Sequence, residues 1–568
     1  MALVRDRIIN EDYADIIVRY NDVNDVLDAF GGSSFYKLNS FTAVVHIPVE
    51  NITDQTILQF GYSAMPLCYG PISDSSIEAS GVSRVRSLPN LNLLGEGVLI
   101  GIIDSGIDYS NPIFQYEDGT TRIASIWDQT IDSGKINQNT FYGTEYGREQ
   151  INEALKSDTP YNIVPSKDEL GHGTMVAGIA AGRDKPEDGF FGVAPAAELV
   201  IVKLKNAKEY LKEFFRIPKD AFCYQETDLI SGVQYIREFS RRIGKPLVIC
   251  LALGSSQGPH DGTGVLQSFL AIGSTTLGMI TTIAGGNEGN SRRHFNGEID
   301  DNIGYESVEL NVGVDDKGFS MELWGDSPTT FSIDIQTPSG EFIPRITVRL
   351  DENREINFVF EDTIINIDYQ MIESFSGDQL ILMRFANPSP GIWRFRVYGV
   401  GDLAKRFNMW LPMQDFISNG TYYIRSSPYT TILSAGNTIR PITITAYNPE
   451  NDSLFLDSSK GYTRTGHYKP DLAAPGVNVI GPTLQQSFVP FSGTSVAVAH
   501  TAGIAAMLLE WGVVRGKLPR MNSLNAKKLL IRGARRNVNL HYPNRDWGYG
   551  IIDVFGSFEA IVTDLAGL

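Results

Sequence analysis

The chain has 568 residues, 42% of them hydrophobic and 20% charged, which excludes a disordered or fibrous protein and leaves room for about three or four domains with ample cores. Its net charge of −18 at pH 7 argues against nucleic acid or an anionic membrane surface as a partner. Three cysteines, Cys68, Cys223 and Cys250, show no paired spacing, so a disulfide framework is not supported and a reducing compartment is compatible.

The N-terminal stretch carries scattered charges and no apolar segment, so no Sec-type signal peptide is expected. No membrane span is expected either, because no apolar run reaches about 18 residues. The chain is therefore expected to be cytoplasmic, or at least to stay inside the cell that makes it.

Residues 1–75 read as a separate small α+β unit. Strands at 15–20 and 41–47 alternate with short amphipathic helices at 24–30 and 53–60, which suits a ferredoxin-like arrangement. From residue 76 to 304 the pattern changes to α/β. Near-continuous apolar runs at 98–103, 199–202, 247–253 and 279–284 read as strands buried on both faces of a parallel sheet. Helical spacing at 228–241 and 265–272 supplies covering helices. Ligands of such sheets bind beyond the carboxyl ends of the strands, where Asp104 and Asn287 fall.

Residues 305–430 change character again. Short strand-like segments at 332–335, 345–348, 357–360, 380–383 and 393–397 recur between turn residues, predicting an inserted all-β sandwich or jelly-roll domain. The segment 442–445 then returns to the α/β sheet, and residues 431–568 complete the second part of that domain. The segment around 127–165 is an addition between Asp104 and His172 to which the sequence assigns no role.

Three short stretches carry the chemistry, in the order Asp, His, Ser. They are Ile103-Asp104-Ser105-Gly106, Gly171-His172-Gly173-Thr174 and Ser492-Gly493-Thr494-Ser495. A serine hydroxyl is a weak nucleophile unless an imidazole accepts its proton, and that imidazole needs a carboxylate to fix its tautomer. Ser495 opens an apolar helical stretch, whose unpaired N-terminal amides would favour a developing oxyanion. His172, between two glycines, is free to present its ring to a cleft, whereas His500 lies within the helix after Ser495 and reads as packed and hydrogen-bonded. Each motif alone has a plainer reading: Gly-Thr-Ser is a good helix N-cap, and Asp104 could cap a turn. Together and in order they outweigh it.

These stretches resemble those of the subtilisin-like serine proteases. The resemblance implies a catalytic triad of Asp104, His172 and Ser495. Ile283-Ala284-Gly285-Gly286-Asn287-Glu288-Gly289 resembles the family segment whose asparagine amide donates to the oxyanion, so Asn287 and the Ser495 amide are the expected oxyanion donors. Leu251-Ala252-Leu253-Gly254-Ser255 resembles the edge on which substrate pairs as an added strand, with Ala252, Leu253 and Gly254 binding its backbone. Gly254, Gly285 and Gly286 would line the pocket for the residue before the scissile bond. The family-like turn Lys469-Pro470-Asp471-Leu472-Ala473-Ala474-Pro475-Gly476 is read as structural.

The implied fold class is α/β: a subtilisin-like parallel sheet flanked by helices, with an N-terminal ferredoxin-like pro-domain and an inserted jelly roll. Residues 1–75 would be a self-cleaved pro-domain acting as intramolecular chaperone and inhibitor, released between about residues 68 and 80. The plainer alternative is an N-terminal domain that stays attached. Ala499 replaces the family's proline before the helix histidine. The loop 183–189 replaces its asparagine-bearing calcium loop, so no cofactor is expected, calcium lacks a recognisable site, and Asp184 and Asp188 read as a solvated acidic turn. The combination of no signal peptide, a pro-segment, a triad and a jelly-roll insert is most like the clostridial Csp spore germination proteases. That implies a protein substrate, a precursor activated by limited cleavage, and a cytoplasmic or spore-associated enzyme. The competing reading is a pseudoprotease scaffold or a binding protein acting through the insert.

Overall fold

The structure, a computed structural model, describes residues 13–20, 33–37, 42–51, 78–131, 142–207, 209–346, 352–373 and 375–566. The chain divides into two compact units, Met1–Pro71 and Ile72–Leu568. In the first, strands β1 (Tyr13–Arg19), β2 (Phe35–Lys37) and β3 (Thr42–Pro48) form an antiparallel sheet in the order β1-β3-β2. Alternate residues of β3, Ala43, Val45 and Ile47, are buried on one face, and His46 is buried as well. The predicted helices at 24–30 and 53–60, and residues 68–77 of the expected cleavage window, lie outside the described residues.

The second unit is built on a mixed sheet in the order β22-β21-β9-β8-β4-β7-β5-β6, with β23 beside β21. Its strands are β4 (Leu99–Asp104), β5 (Ile123–Asp128), β6 (Thr144–Gly147), β7 (Glu198–Lys203), β8 (Leu247–Leu251), β9 (Met279–Ala284), β21 (Ile442–Asn448), β22 (Ser453–Leu454) and β23 (Leu472–Pro475). The central pairs are parallel, and only the edge pairs β5–β6 and β21–β22 are antiparallel. Every residue of β4, β5, β7, β8 and β9 is buried, as strands covered on both faces require. Alternate residues face opposite cores. Ile100 and Ile102 pack with the helices His172–Ala181 and Thr494–Leu509. Leu99 and Ile103 pack with the helices Glu226–Ile243 and Val265–Thr275. The added segment before His172 contributes β6 and the short helices Arg148–Leu155 and Pro160–Ile163.

Between β9 and β21 the chain leaves this sheet and makes two antiparallel sheets over one shared core. Their strands are β10 (His294–Glu298), β11 (Tyr305–Val312), β12 (Gly318–Gly325), β13 (Thr330–Gln336), β14 (Phe342–Ile346), β15 (Glu352–Asn357), β16 (Ile364–Gln370), β17 (Gln379–Ala386), β18 (Gly391–Val400), β19 (Arg406–Trp410) and β20 (Tyr422–Tyr423). The orders are β10-β19-β12-β17-β16-β15 and β14-β13-β18-β11-β20. The predicted strand at 357–360 is displaced: β15 ends at Asn357, and exposed Val359 and Phe360 instead donate their amides to the Glu341 carboxylate.

The helix over Thr494–Val514 departs from one premise of the sequence reading, that no apolar run reaches about 18 residues, without making a clear membrane span. It is apolar and long enough to cross a membrane by length and composition, but most of it is buried inside this fold. It is the only such helix among the described residues. Its apolar character comes from being surrounded by the sheet and the His172 helix, which leaves it no polar face.

Candidate active site

Asp104 is the last residue of β4, and His172 is the first of its helix. Their approach depends on Gly173: a Cβ there would lie 2.2 Å from the Gly106 carbonyl oxygen and 3.2 Å from Asp104 Cβ. His172 Nδ1 lies 2.8 and 2.9 Å from the two carboxylate oxygens of Asp104. An ionised carboxylate only accepts, so Nδ1 carries the proton and Nε2 keeps its lone pair. Asp104 is 1% exposed while the imidazole is 32% exposed, so the pair runs from core to surface. The Ser105 amide donates to Asp104 Oδ1 at 2.7 Å, and the Gly173 amide donates to Ser105 Oγ at 2.9 Å.

A second buried acid holds the helix. Asp168 accepts from the Gly171 amide at 2.8 Å and from the Thr174 amide and hydroxyl at 2.9 and 2.8 Å. Burial opposes a charge on His172, but Asp104, as neighbouring charge and hydrogen-bond partner, and the charge of Asp168 together hold its pKa above the usual histidine value. Asp168 was missed in the sequence, although an acid shortly before an apolar helical run is a capping signal.

Ser495 is the second residue of the helix Thr494–Leu509. Its hydroxyl donates to the Ala252 carbonyl oxygen at 3.2 Å, and among the described residues no hydrogen bond joins it to His172. The expected continuous row is thus formed in its Asp–His half only. The Ala252 carbonyl oxygen, just beyond β8, takes the Ser495 hydroxyl instead, and the hydroxyl must leave it before a base can take its proton. Such contacts often tighten only when substrate is present.

Asn287 sits just past β9, and its Oδ1 accepts from both the amide and the hydroxyl of Thr494, each at 3.0 Å. A main-chain amide only donates, so Oδ1 is fixed as the acceptor and Nδ2 as the outward donor. The Thr494 hydroxyl also accepts from the Gly286 amide at 3.1 Å. The serine motif by itself gives Thr494 no role, and the structure makes it the brace of Asn287. Ala252, Leu253 and Gly254 follow β8, while Gly285 and Gly286 follow its neighbour β9, so the two stretches run side by side.

His500 is fully buried, with Nε2 2.7 Å from Ser80 Oγ, and burial pushes its pKa down to about 3. It is packed and hydrogen-bonded, as its place in the helix predicts. Asp184 departs from the solvated-turn reading, because its carboxylate pairs with Arg86. Among the described residues no group of three or more His, Cys, Asp or Glu could hold a metal ion.

Strands of a parallel sheet carrying Asp104 and Asn287 at their carboxyl ends, with His172 and Ser495 on two helices of one face, define the subtilisin-like α/β class. The chain matches the subtilase family, Peptidase S8, over residues 95–312 and 418–550, and it belongs to that family. It is similar to the solved CspB protease of Clostridium perfringens, with 30% identity and a TM-score of 0.77, covering 86% of this chain and 98% of that one. Among curated proteins it is 24% identical over 457 residues to the subtilisin-like protease SBT3 of Solanum lycopersicum, covering 73% of this chain and 55% of that protein. It is 22% identical to a C5a peptidase of Streptococcus pyogenes, over 83% of this chain and 41% of the other. The chain spans about half the length of these curated relatives.

Proposed function

We propose that the chain is a serine endopeptidase in which Asp104, His172 and Ser495 are the triad. The observation that carries this reading is the Asp104–His172 bond at 2.8 Å, beside the amide-rich helix start that bears Ser495. Ser495 Oγ attacks the peptide carbonyl while its proton passes to His172 Nε2, and the carbonyl electron pair moves onto oxygen. Asn287 Nδ2 and the Ser495 amide stabilise that oxyanion. The tetrahedral adduct then collapses, the C–N bond breaks, and His172 returns the proton to the leaving amine. Water releases the acyl group by the same steps in reverse.

A fluorophosphonate probe tests this directly. Wild type is expected to label at Ser495, and Ser495→Ala is expected neither to label nor to hydrolyse peptides. Labelling that survives Ser495→Ala would overturn the assignment.

Residues 1–75 are proposed as a self-processed pro-domain, and the sandwich as a jelly-roll relative that braces the catalytic part. The sandwich pairs β11 with β18 and β12 with β17, first strands with last, in support of the roll, whereas β14 beside β13 departs from its simplest form. A role in activating a protein precursor during spore germination, which the Csp resemblance implies, is part of this proposal, and the likeness to the CspB protease over 98% of that chain supports the kinship on which it rests. The intact mass of protein made in a protease-free system decides the processing question: Ser495→Ala stays full-length if the cut is its own, and a processed variant refutes autoprocessing.

A further inference from the structure

Gly254 and Gly286 stand on the two neighbouring stretches that follow β8 and β9, and neither has a side chain to fill the space beside it. One side chain from elsewhere in the chain does so. A Cβ placed on Gly254 would lie 2.4 Å from Leu433 Cδ1, and a Cβ placed on Gly286 would lie 2.5 Å from Leu433 Cγ and 2.7 Å from the same Cδ1. The isobutyl group of Leu433 therefore packs against both glycines at once. It is 5% exposed.

Leu433 is held there by its main chain. Its amide donates to the Gly285 carbonyl oxygen at 2.9 Å, and the next amide, Ser434, donates to the Ser255 carbonyl oxygen at 2.8 Å. The segment is thus tied to both walls. Asn437 Nδ2 donates to the carbonyl oxygens of Ile432 and Leu433 at 2.8 and 3.1 Å, and His260 Nδ1 lies 2.8 Å from the Ile432 oxygen. A side chain on so pinned a backbone does not swing out of the way cheaply.

We infer that Leu433 is the specificity-determining residue of the pocket between Gly254 and Gly286, restricting the residue before the scissile bond to small side chains such as alanine, glycine or serine. The inference rests on the serine endopeptidase reading and deepens it. The space that a phenylalanine or leucine of the substrate would need is already occupied by an apolar group, whereas a methyl or hydroxymethyl group can rest against it. Leu433 touches no reacting atom. Its effect falls on which peptide seats, since one extra or missing methylene in a hydrophobic pocket is worth about 10- to 200-fold.

The test is a set of peptides identical except for Ala, Ser, Leu or Phe before the cleaved bond. Wild type is expected to favour Ala over Phe by about 100-fold in kcat/KM. Leu433→Ala should narrow that ratio at least about tenfold by raising activity on Leu and Phe, with Leu433→Val intermediate. Wild type cleaving Phe as well as Ala overturns the inference without any variant, and so does an unchanged ratio in a Leu433→Ala protein that still labels with fluorophosphonate. Loss of labelling in wild type itself would instead refute the serine endopeptidase reading, so the two failures are distinguishable.

Discussion

Thr494 and Asn287 form a closed unit across the mouth of the site: amide and hydroxyl of one residue both donate to a single amide oxygen of the other, at 3.0 Å each. With Oδ1 held as the acceptor, Nδ2 is left as the donor, and a donor fixed before substrate arrives is what the proposed oxyanion role requires. Asn287→Leu should lower kcat by about 10²–10³-fold with little change in KM. Thr494→Val keeps the amide bond but removes the hydroxyl that also receives the Gly286 amide, so a smaller loss, about tenfold, is expected. Steady-state kinetics on one peptide substrate separates the two. A raised KM with unchanged kcat in Asn287→Leu would show instead that the amide binds ground and transition state alike.

The pH profile follows from the acids around His172. Its raised pKa means that the acid limb of kcat/KM should fall at a pH above about 6.5, the ordinary histidine value. Asp168 adds its charge to that shift, so Asp168→Asn should move the limb toward acid while hydrolysis persists at high pH. The pair's contribution to folding has the opposite sense. It is full below the unfolded histidine pKa and is lost as pH rises through the raised folded value, so activity climbs where this contribution fades. A limb unmoved by Asp168→Asn would show that Asp168 acts only as a helix cap.

Much of the fold was legible because buried parallel strands are written as continuous apolar runs. The runs at 98–103, 199–202 and 279–284 became β4, β7 and β9 with ends shifted by a residue at most. Asp104 and His172 could be read because their motifs place them at element ends that the sheet then brings together. Periodicity, however, reports burial and not partners. It could not show that Ser495 would turn to Ala252, that Asp184 would find Arg86, or that Thr494 would brace Asn287. Leu433 was invisible for a topological reason: it meets Gly254 and Gly286 only because β21 returns beside β9 after the whole sandwich intervenes.

The turn before β23, read as structural, contains a buried charge cluster with a measurable consequence. Asp471 faces two ammonium groups, with Lys469 Nζ at 2.6 Å and Lys527 Nζ at 3.0 Å. Burial pushes the Lys469 pKa down to about 7 against the pull of Asp471, and the same two cations hold the Asp471 pKa below its usual value. Asp471→Asn keeps the shape but strips both cations of their counter-charge. A loss of about 3–5 kcal/mol is expected, read as a lowered denaturant midpoint of the whole unit. Exposed Lys528→Ala, next to Lys527 on the helix Ser523–Gly533, should move the midpoint little.

Arg464 joins the sandwich to the catalytic sheet. Its guanidinium, 1% exposed, reaches Asp326 at 2.9 Å and Asp378 at 2.6 Å, both in turns of the sandwich, and Asp261 at 3.4 Å on the catalytic side. Its Nε donates to the Pro259 carbonyl oxygen at 2.7 Å. Burial already holds the Asp326 pKa above the usual carboxylate value even with Arg464 opposing it. In Arg464→Met three acids face one another without a cation, which should cost about 3–5 kcal/mol near neutral pH. The loss should shrink as acid protonates those carboxyls, because their mutual repulsion goes with their charge. Arg464→Lys restores one charge but not the forked reach to several partners, so it should rescue only part. Thermal melts of the three proteins between about pH 4 and 8 measure this, and a deficit in Arg464→Met that does not change with pH would mean that Arg464 contributes through packing alone.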